Sequence, residues 1–89
     1  MPFIACTRRL EQIGPHELTS YAGDTVGSLL DATAADYPRL KTYVLDDQGR
    51  VRKHVAIFID GNLHPRDSVL QRPLSNRSEI YIMQALSGG

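Results

Sequence analysis

The residues with the clearest chemical potential lie at the C-terminal end, in Gln84-Ala85-Leu86-Ser87-Gly88-Gly89. Two glycines carry the chain to a terminal carboxylate, and because they have no Cβ atoms, nothing crowds the Gly89 carbonyl. The carboxylate is ionised at neutral pH and resists nucleophiles until one oxygen becomes a leaving group. We expect residues 84–89 to form a flexible tail that reaches about 20 Å when extended. It could enter another protein's active site while the domain, residues 1–83, stays outside.

Other reactive side chains give weaker signals. Cys6 is the single cysteine, and no neighbouring motif would stabilise its thiolate, so we interpret it as a small apolar residue of the first strand rather than a sulfur-handling thiol. The histidines, at positions 16, 54 and 64, lack the spacing of metal ligands, and no metal site is predicted. Ser87 has no positioned base in the sequence, which argues against a hydrolase.

Length and composition indicate one globular domain. The 89 residues are 42% hydrophobic and 22% charged, without an apolar run that could cross a membrane. Ten basic residues balance ten acidic ones, which gives no argument for a nucleic-acid or membrane partner. The lack of a signal peptide and the single cysteine predict a cytoplasmic location. The basic stretches Arg8-Arg9 and Arg50-Val51-Arg52-Lys53 are either contacts for an acidic partner surface or solvated loops and strand ends.

The first half of the chain predicts two strands and a helix. Residues 3–7 form an apolar run, and residues 16–21 have β character with Leu18 as their apolar anchor. A helix is expected after Asp24-Thr25, either of which can cap it, and Pro38 is expected to end it. Residues 40–44 suggest a further short turn. The predicted buried face of the helix has helical spacing: Val26, Leu29, Leu30, Thr33, Ala34 and Tyr37.

The second half predicts a hairpin and a last strand. Residues 55–59 give the strongest strand signal, and Asp60-Gly61 favours a tight turn into a short returning strand at residues 62–64. Residues 66–78 are predicted to be a loop with apolar anchors, and residues 79–83 form the last strand. The anchors of the loop are Val69, Leu70 and Leu74.

This order of elements predicts an α+β domain in which a mixed sheet of four to five strands packs against one main helix. Alternation along a strand sends neighbouring side chains to opposite faces. If the β-branched residues of the last two long strands meet the helix, three larger side chains face outward beside the root of the tail and form a docking patch. They are Phe58, Tyr81 and Met83.

The order of elements, the helix entry at residues 24–30, the strand at residues 54–61 and the end at residues 85–89 together resemble the ThiS/MoaD family. These are ubiquitin-like, β-grasp sulfur carriers. The likeness covers essentially the whole chain, but only the terminal diglycine is specific. Two positions depart from the family pattern: Gln84 stands where a proline is common, and residues 75–78 replace a Gly-Asp turn. We expect Gln84 to leave the base of the tail less rigid.

The resemblance implies a function for the tail. An ATP-dependent enzyme related to the ubiquitin activators adenylates the matching Gly89, sulfur replaces the adenylate, and a sulfur-accepting synthase takes the sulfur from the thiocarboxylate. Gly88 then lets the tail thread a narrow channel, Leu86 packs at the mouth, and Ser87 lies between them. The chain itself is expected to bind no cofactor and to act as a protein cosubstrate rather than an enzyme.

The resemblance leaves the pathway open. The chain is most similar to the carriers of cysteine synthesis, in which a pyridoxal-phosphate enzyme uses the thiocarboxylate and a metalloprotease releases the product. A competing interpretation is the small subunit of molybdopterin synthase. Another is a ubiquitin-like modifier joined to lysines through Gly89. The remaining possibility is a β-grasp binding module with an incidental diglycine.

Overall fold

A computed structural model describes residues 1–85 as five strands, two α-helices and two short 3₁₀ helices. The strands are β1 (Phe3–Cys6), β2 (Thr19–Ser20), β3 (Val55–Ile59), β4 (Asn62–Leu63) and β5 (Glu79–Gln84). The α-helices are α1 (Val26–Ala34) and α2 (Pro38–Val44), and the 3₁₀ helices span Arg8–Leu10 and Val69–Gln71.

The strands form one mixed sheet in the order β2-β1-β5-β3-β4. The two central neighbours, β1 and β5, run parallel, and the other pairs are antiparallel. The first and last strands of the chain therefore lie side by side at the centre of the sheet. This arrangement confirms the predicted two-layer α+β architecture.

One face of the sheet carries the core. The register aligns Ile4 and Cys6 of β1 with Ile80 and Ile82 of β5, and Ile82 in turn pairs with Ile57 of β3. All five side chains are buried, as are the inward residues of both helices. The predicted inward orientation of the β-branched residues is therefore confirmed.

The helix α1 follows the predicted pattern at its start but is shorter than expected. Thr25 is its N-cap and forms a capping box with Ser28, whose backbone N–H donates to the Thr25 hydroxyl over 3.1 Å. The helix ends at Ala34, before the residue that was expected to stop it. Pro38 instead begins a second helix, α2, where a proline at the first position lacks an N–H that would have no partner anyway. The prediction of only a short turn there was wrong.

Two other local predictions differ from the structure. The second strand covers only residues 19–20, and Leu18, the expected anchor, is exposed. The loop at residues 66–78 contains a 3₁₀ helix that buries Val69, while Leu70 and Leu74 pack against the core as predicted. The hairpin turn is confirmed, because Asp60 and Gly61 both have positive φ values, 51° and 85°.

Within the described residues, neither α-helix is long and apolar enough to cross a membrane.

Candidate functional site

The root of the tail is fixed by the ladder between β5 and β3. Gln84 pairs with Val55, and the backbone N–H of Ala85 donates to the carbonyl of His54 over 2.7 Å. The strand thus continues one residue beyond the boundary predicted from the sequence, and one further hydrogen bond follows it. Leu86, Ser87, Gly88 and Gly89 lie outside the described residues, so their expected roles stay predictions.

The other side of β5 is held by the segment that follows β1. The backbone N–H of Thr7 donates to the Ile82 carbonyl over 3.0 Å, and Arg9 Nη1 donates to Gln84 Oε1 over a longer 3.4 Å. Gln84 was expected to loosen the base of the tail. The structure instead places it in a paired strand with a side-chain contact to a second segment, so the chain leaves the domain from a defined point.

The face of the sheet opposite the helices carries an apolar surface, which we call the outer apolar face: Phe58, Leu63, Tyr81 and Met83. Tyr81 pairs with Phe58, and Phe58 pairs with Leu63, so their side chains form a row across three strands. Met83 lies two residues further along β5, towards the tail. The structure therefore brings together the three residues predicted for docking, while the docking role itself stays a prediction.

Leu63 belongs to this face but is not among the docking residues predicted from the sequence. Its side chain is 62% exposed, the largest exposure among the large apolar residues that the structure describes. The sequence contains the information that places Leu63 there. A two-residue turn at Asp60-Gly61 fixes the register of β3 with β4 and puts residue 63 opposite residue 58. The outer apolar face is consequently wider than the sequence predicted.

Cys6 lies in the core, where it is 2% exposed. Burial raises the pKa of its thiol to about 12, so the thiolate is not populated at neutral pH. A Cβ atom on Gly14 would lie 2.6 Å from the Cys6 sulfur, which shows how closely the neighbouring backbone approaches it. These observations support the interpretation of Cys6 as a packing residue.

The histidines occupy three different environments. His16 is exposed, His64 is half-buried after β4, and the His54 ring packs edge-on against Tyr43 with 4.9 Å between ring centroids. Over residues 1–85, no three side chains of metal-binding type lie close enough to share an ion. The structure therefore gives the histidines no common site.

A groove of about 630 Å³ lies beside the root of the tail. His54, whose carbonyl accepts the Ala85 N–H, forms part of its wall. Four cationic side chains and two carboxylates line it. The cations are Arg50, Arg52, Lys53 and Arg66, and the carboxylates are Asp46 and Asp67.

The ThiS family model matches residues 3–89, which is nearly the full length. The chain belongs to the ThiS family. Among curated protein sequences, no relative matches significantly.

Solved structures with the same fold cover the whole domain. SAMP1 from Haloferax volcanii superposes with a TM-score of 0.75 at 23% identity, over 99% of this chain and 98% of its own. A chain of the Amycolatopsis orientalis BexX/CysO complex gives 0.84 at 13% identity, with full coverage of both chains. CysO from Mycobacterium tuberculosis gives 0.83 at 17% identity, over 97% of this chain and 100% of its own. The predicted ubiquitin-like β-grasp fold is thereby confirmed.

Proposed function

We propose that this ThiS-family protein is a sulfur carrier whose Gly89 carboxylate is adenylated and then converted to a thiocarboxylate. The observation that carries the proposal is the fixed exit of the chain at Ala85, from which Leu86-Ser87-Gly88-Gly89 leads to the terminus. Family membership supports it, since the match includes these last residues. In this role the protein is a cosubstrate of other enzymes, in the cytoplasm, and needs no cofactor of its own.

The chemistry explains why a separate activating enzyme is required. A terminal carboxylate has a pKa near 3.5 and is ionised at neutral pH, so it is a poor electrophile. The enzyme, related to the ubiquitin activators, uses ATP to join the carboxylate to AMP and releases pyrophosphate. Hydrosulfide then attacks the acyl carbon, AMP leaves with the bonding electron pair, and the terminus becomes a thiocarboxylate. A sulfur-accepting synthase bonds the sulfur to its substrate, and hydrolysis of the acyl group by water restores the carboxylate.

The domain contributes recognition at two places. Beyond Ala85, four residues can extend about 13 Å, so the acyl carbon can enter a channel while the folded domain stays at its mouth. In this proposal Leu86 packs at that mouth and Ser87 and Gly88 thread the channel. The outer apolar face begins at Met83, next to the root of the tail, where an enzyme surface around the channel would contact it.

A second candidate is a ubiquitin-like protein modifier. It is favoured by the likeness to SAMP1, which is described as a small archaeal modifier protein. Both functions use the same activated glycine. They differ in the acceptor, which is a sulfur nucleophile for the carrier and a lysine amine for the modifier.

The intact mass of the protein, co-expressed with the activating enzyme of its source organism, separates these functions. We expect a population whose mass corresponds to one oxygen replaced by sulfur. A ladder of conjugates to other proteins would establish the modifier instead. An unchanged mass would contradict both and favour a β-grasp binding module.

For the pathway, we propose delivery of sulfur to an activated amino-acid substrate on a pyridoxal-phosphate enzyme, with a metalloprotease releasing the product. The shared fold with two CysO structures motivates this choice. The alternative is transfer to a pterin precursor in molybdopterin synthase. Thiocarboxylated protein incubated with each client and its substrate should gain the mass of a cysteine-like adduct in the first case. Reversion to the carboxylate with the pterin enzyme, and no adduct with the other, would contradict our choice.

A further inference from the structure

Two basic segments that are far apart in sequence meet at the root of the tail. Arg8 and Arg9 lie in the 3₁₀ helix that follows β1, and Arg9 contacts Gln84 at the end of β5. Arg52 and Lys53 precede β3, whose first residue pairs with that same Gln84. The end of β5 is therefore flanked by basic residues on both sides, roughly 10 Å apart if each neighbour lies one strand spacing away.

Two of the arginines in the groove are held in place by backbone carbonyls. Arg52 Nε donates to the Leu45 carbonyl over 3.1 Å and to the Thr42 carbonyl over 3.3 Å, at the C-terminal end of α2. Arg66 Nη1 donates to the Val51 carbonyl over 3.0 Å. A carbonyl is neutral, so these bonds orient each guanidinium without cancelling its charge. Among residues 1–85, no partner engages the other N–H groups of either guanidinium, so these groups can bind carboxylates.

The internal ion pairs leave these charges uncompensated. Over residues 1–85, ion pairs within 4.0 Å join Lys41 to Asp31 and Arg50 to Asp46. The Asp46 carboxylate also accepts two backbone N–H groups of its own loop, and these bonds, the one from Arg50 first, lower its pKa. The Asp46 carboxylate is thus occupied by Arg50 and by its own loop. Over the same residues, Arg8, Arg9, Arg52, Lys53 and Arg66 form no ion pair within 4.0 Å. Asp67 in the groove and Glu11 after the 3₁₀ helix reduce the positive charge around the tail root without cancelling it.

Acidic side chains lie at the opposite end of the same strands. Glu79 begins β5 and Asp60 follows the end of β3, so both are about 17 Å from the tail root along the strand direction. The net charge of the chain is zero, and these two carboxylates lie at the end of the strands away from the tail, although Arg77 also lies just before β5 at that end. A charge distribution of this kind orients a partner before contact.

Five basic residues lie around the root of the tail, and we call them the basic collar: Arg8, Arg9, Arg52, Lys53 and Arg66. We propose that the basic collar binds acidic side chains of the activating enzyme, around the opening through which the tail enters its active site. This inference rests on the proposed function, and it names the chemistry of the partner surface. A small anion such as phosphate in the groove would lie on one side of β5, whereas Arg8 and Arg9 do not line the groove and flank the other side. A protein surface through which the tail passes meets both sides at once.

Adenylation kinetics with the activating enzyme of the source organism test the basic collar. We choose Arg8→Glu and Lys53→Glu, because both side chains are exposed, one on each side of the tail. Arg77→Glu makes the same charge change before the far end of β5 and is the matched control. At low salt each collar variant should lower kcat/KM about tenfold or more, chiefly through KM, and should flatten its salt dependence. The control should behave like the wild type.

The outcomes separate this inference from the proposed function. If the wild type is adenylated and both collar variants match Arg77→Glu, the basic collar is wrong and the carrier function stands. If the wild type is not adenylated, the proposed function fails and the basic collar fails with it.

A binding measurement on the protein alone distinguishes an acidic protein surface from a small anion. Backbone amide shifts are followed by NMR during titration with an octaglutamate peptide, with ATP and with inorganic phosphate. We expect the peptide to shift amides on both sides of the tail root, including Arg9 and Lys53, and Lys53→Glu to weaken binding several-fold. Shifts confined to the groove and stronger with ATP would overturn the proposal in favour of a nucleotide site.

Discussion

The Tyr43 hydroxyl is buried and has no hydrogen-bond partner among the described residues. Burying a polar group without a partner costs stability, whereas a satisfied hydroxyl contributes to it. Tyr21 gives the contrast, since its hydroxyl donates to Asp36 Oδ2 over 2.8 Å. Removal of the hydroxyl group is therefore expected to change the free energy of unfolding in opposite directions at the two positions.

We predict that Tyr43→Phe raises the free energy of unfolding by about 1 kcal/mol, because it removes an unsatisfied group and leaves the ring packing intact. Tyr21→Phe should lower it by about 0.5 to 1 kcal/mol, since the hydrogen bond that it removes is exposed. Urea denaturation of the two variants and the wild type measures both. A loss of stability in Tyr43→Phe would show that its hydroxyl has a partner in solution.

Cys6 gives a second prediction for a single residue. Its pKa of about 12 and its burial keep the thiol protonated and inaccessible at neutral pH. A disulfide reagent at pH 8 should leave the folded protein unmodified and react fully in denaturing urea. Cys6→Ala should still be thiocarboxylated at Gly89. Rapid labelling of the folded protein would contradict the assignment of Cys6 to the core.

In strand β5, two neighbouring residues have different expected roles: one stabilises the core, and the other contacts a partner. Ile82 is 1% exposed and faces the helices, whereas Met83 is half-buried on the outer apolar face. Substitution of each by aspartate places the same charge on opposite sides of the sheet. The pair therefore tests whether the outer apolar face docks a partner.

Met83→Asp should lower kcat/KM for activation while changing the free energy of unfolding by less than about 1 kcal/mol. Ile82→Asp should cost more than about 3 kcal/mol, because it buries a charge without a partner. Thermal unfolding monitored by circular dichroism measures the stability of both. If folded Met83→Asp is activated at the wild-type rate, the outer apolar face does not dock the activating enzyme.

The elements differ in how far the sequence predicts them. The buried and outward faces of β3 are predictable, because Val55, Ile57 and Ile59 alternate strictly with smaller or aromatic residues. The register of β3 with β4 is predictable too, because a two-residue turn fixes the hairpin. The helix α2 was missed because it has only seven residues, too few to show a helical repeat. The second strand is shorter than predicted because Leu18, which was expected to anchor it, lies outside the core.

At the scale of the molecule, the contacts at the tail root depend on tertiary structure. The Ala85–His54 hydrogen bond and the Arg9–Gln84 contact join segments whose meeting no local pattern encodes. The two basic stretches are visible in the sequence, which favours solvated loops and strand ends over a partner surface. Only the fold shows that both lie beside the end of β5. The diglycine, in contrast, was visible from the residues alone, because its chemistry depends on the chain end.

If the folded domain presents Gly89 as the group that is activated, a chain that lacks only Gly89 should fold but lose the reaction. The wild type is therefore compared with this shortened chain. Each is incubated with the activating enzyme, ATP and a sulfide source, and the intact mass and the position of the mass change are determined by fragmentation. We expect thiocarboxylate on Gly89 of the wild type, none on the shortened chain, and equal melting temperatures for the two proteins. Thiocarboxylate formation on the shortened chain, at a rate equal to that of the wild type, would contradict this expectation.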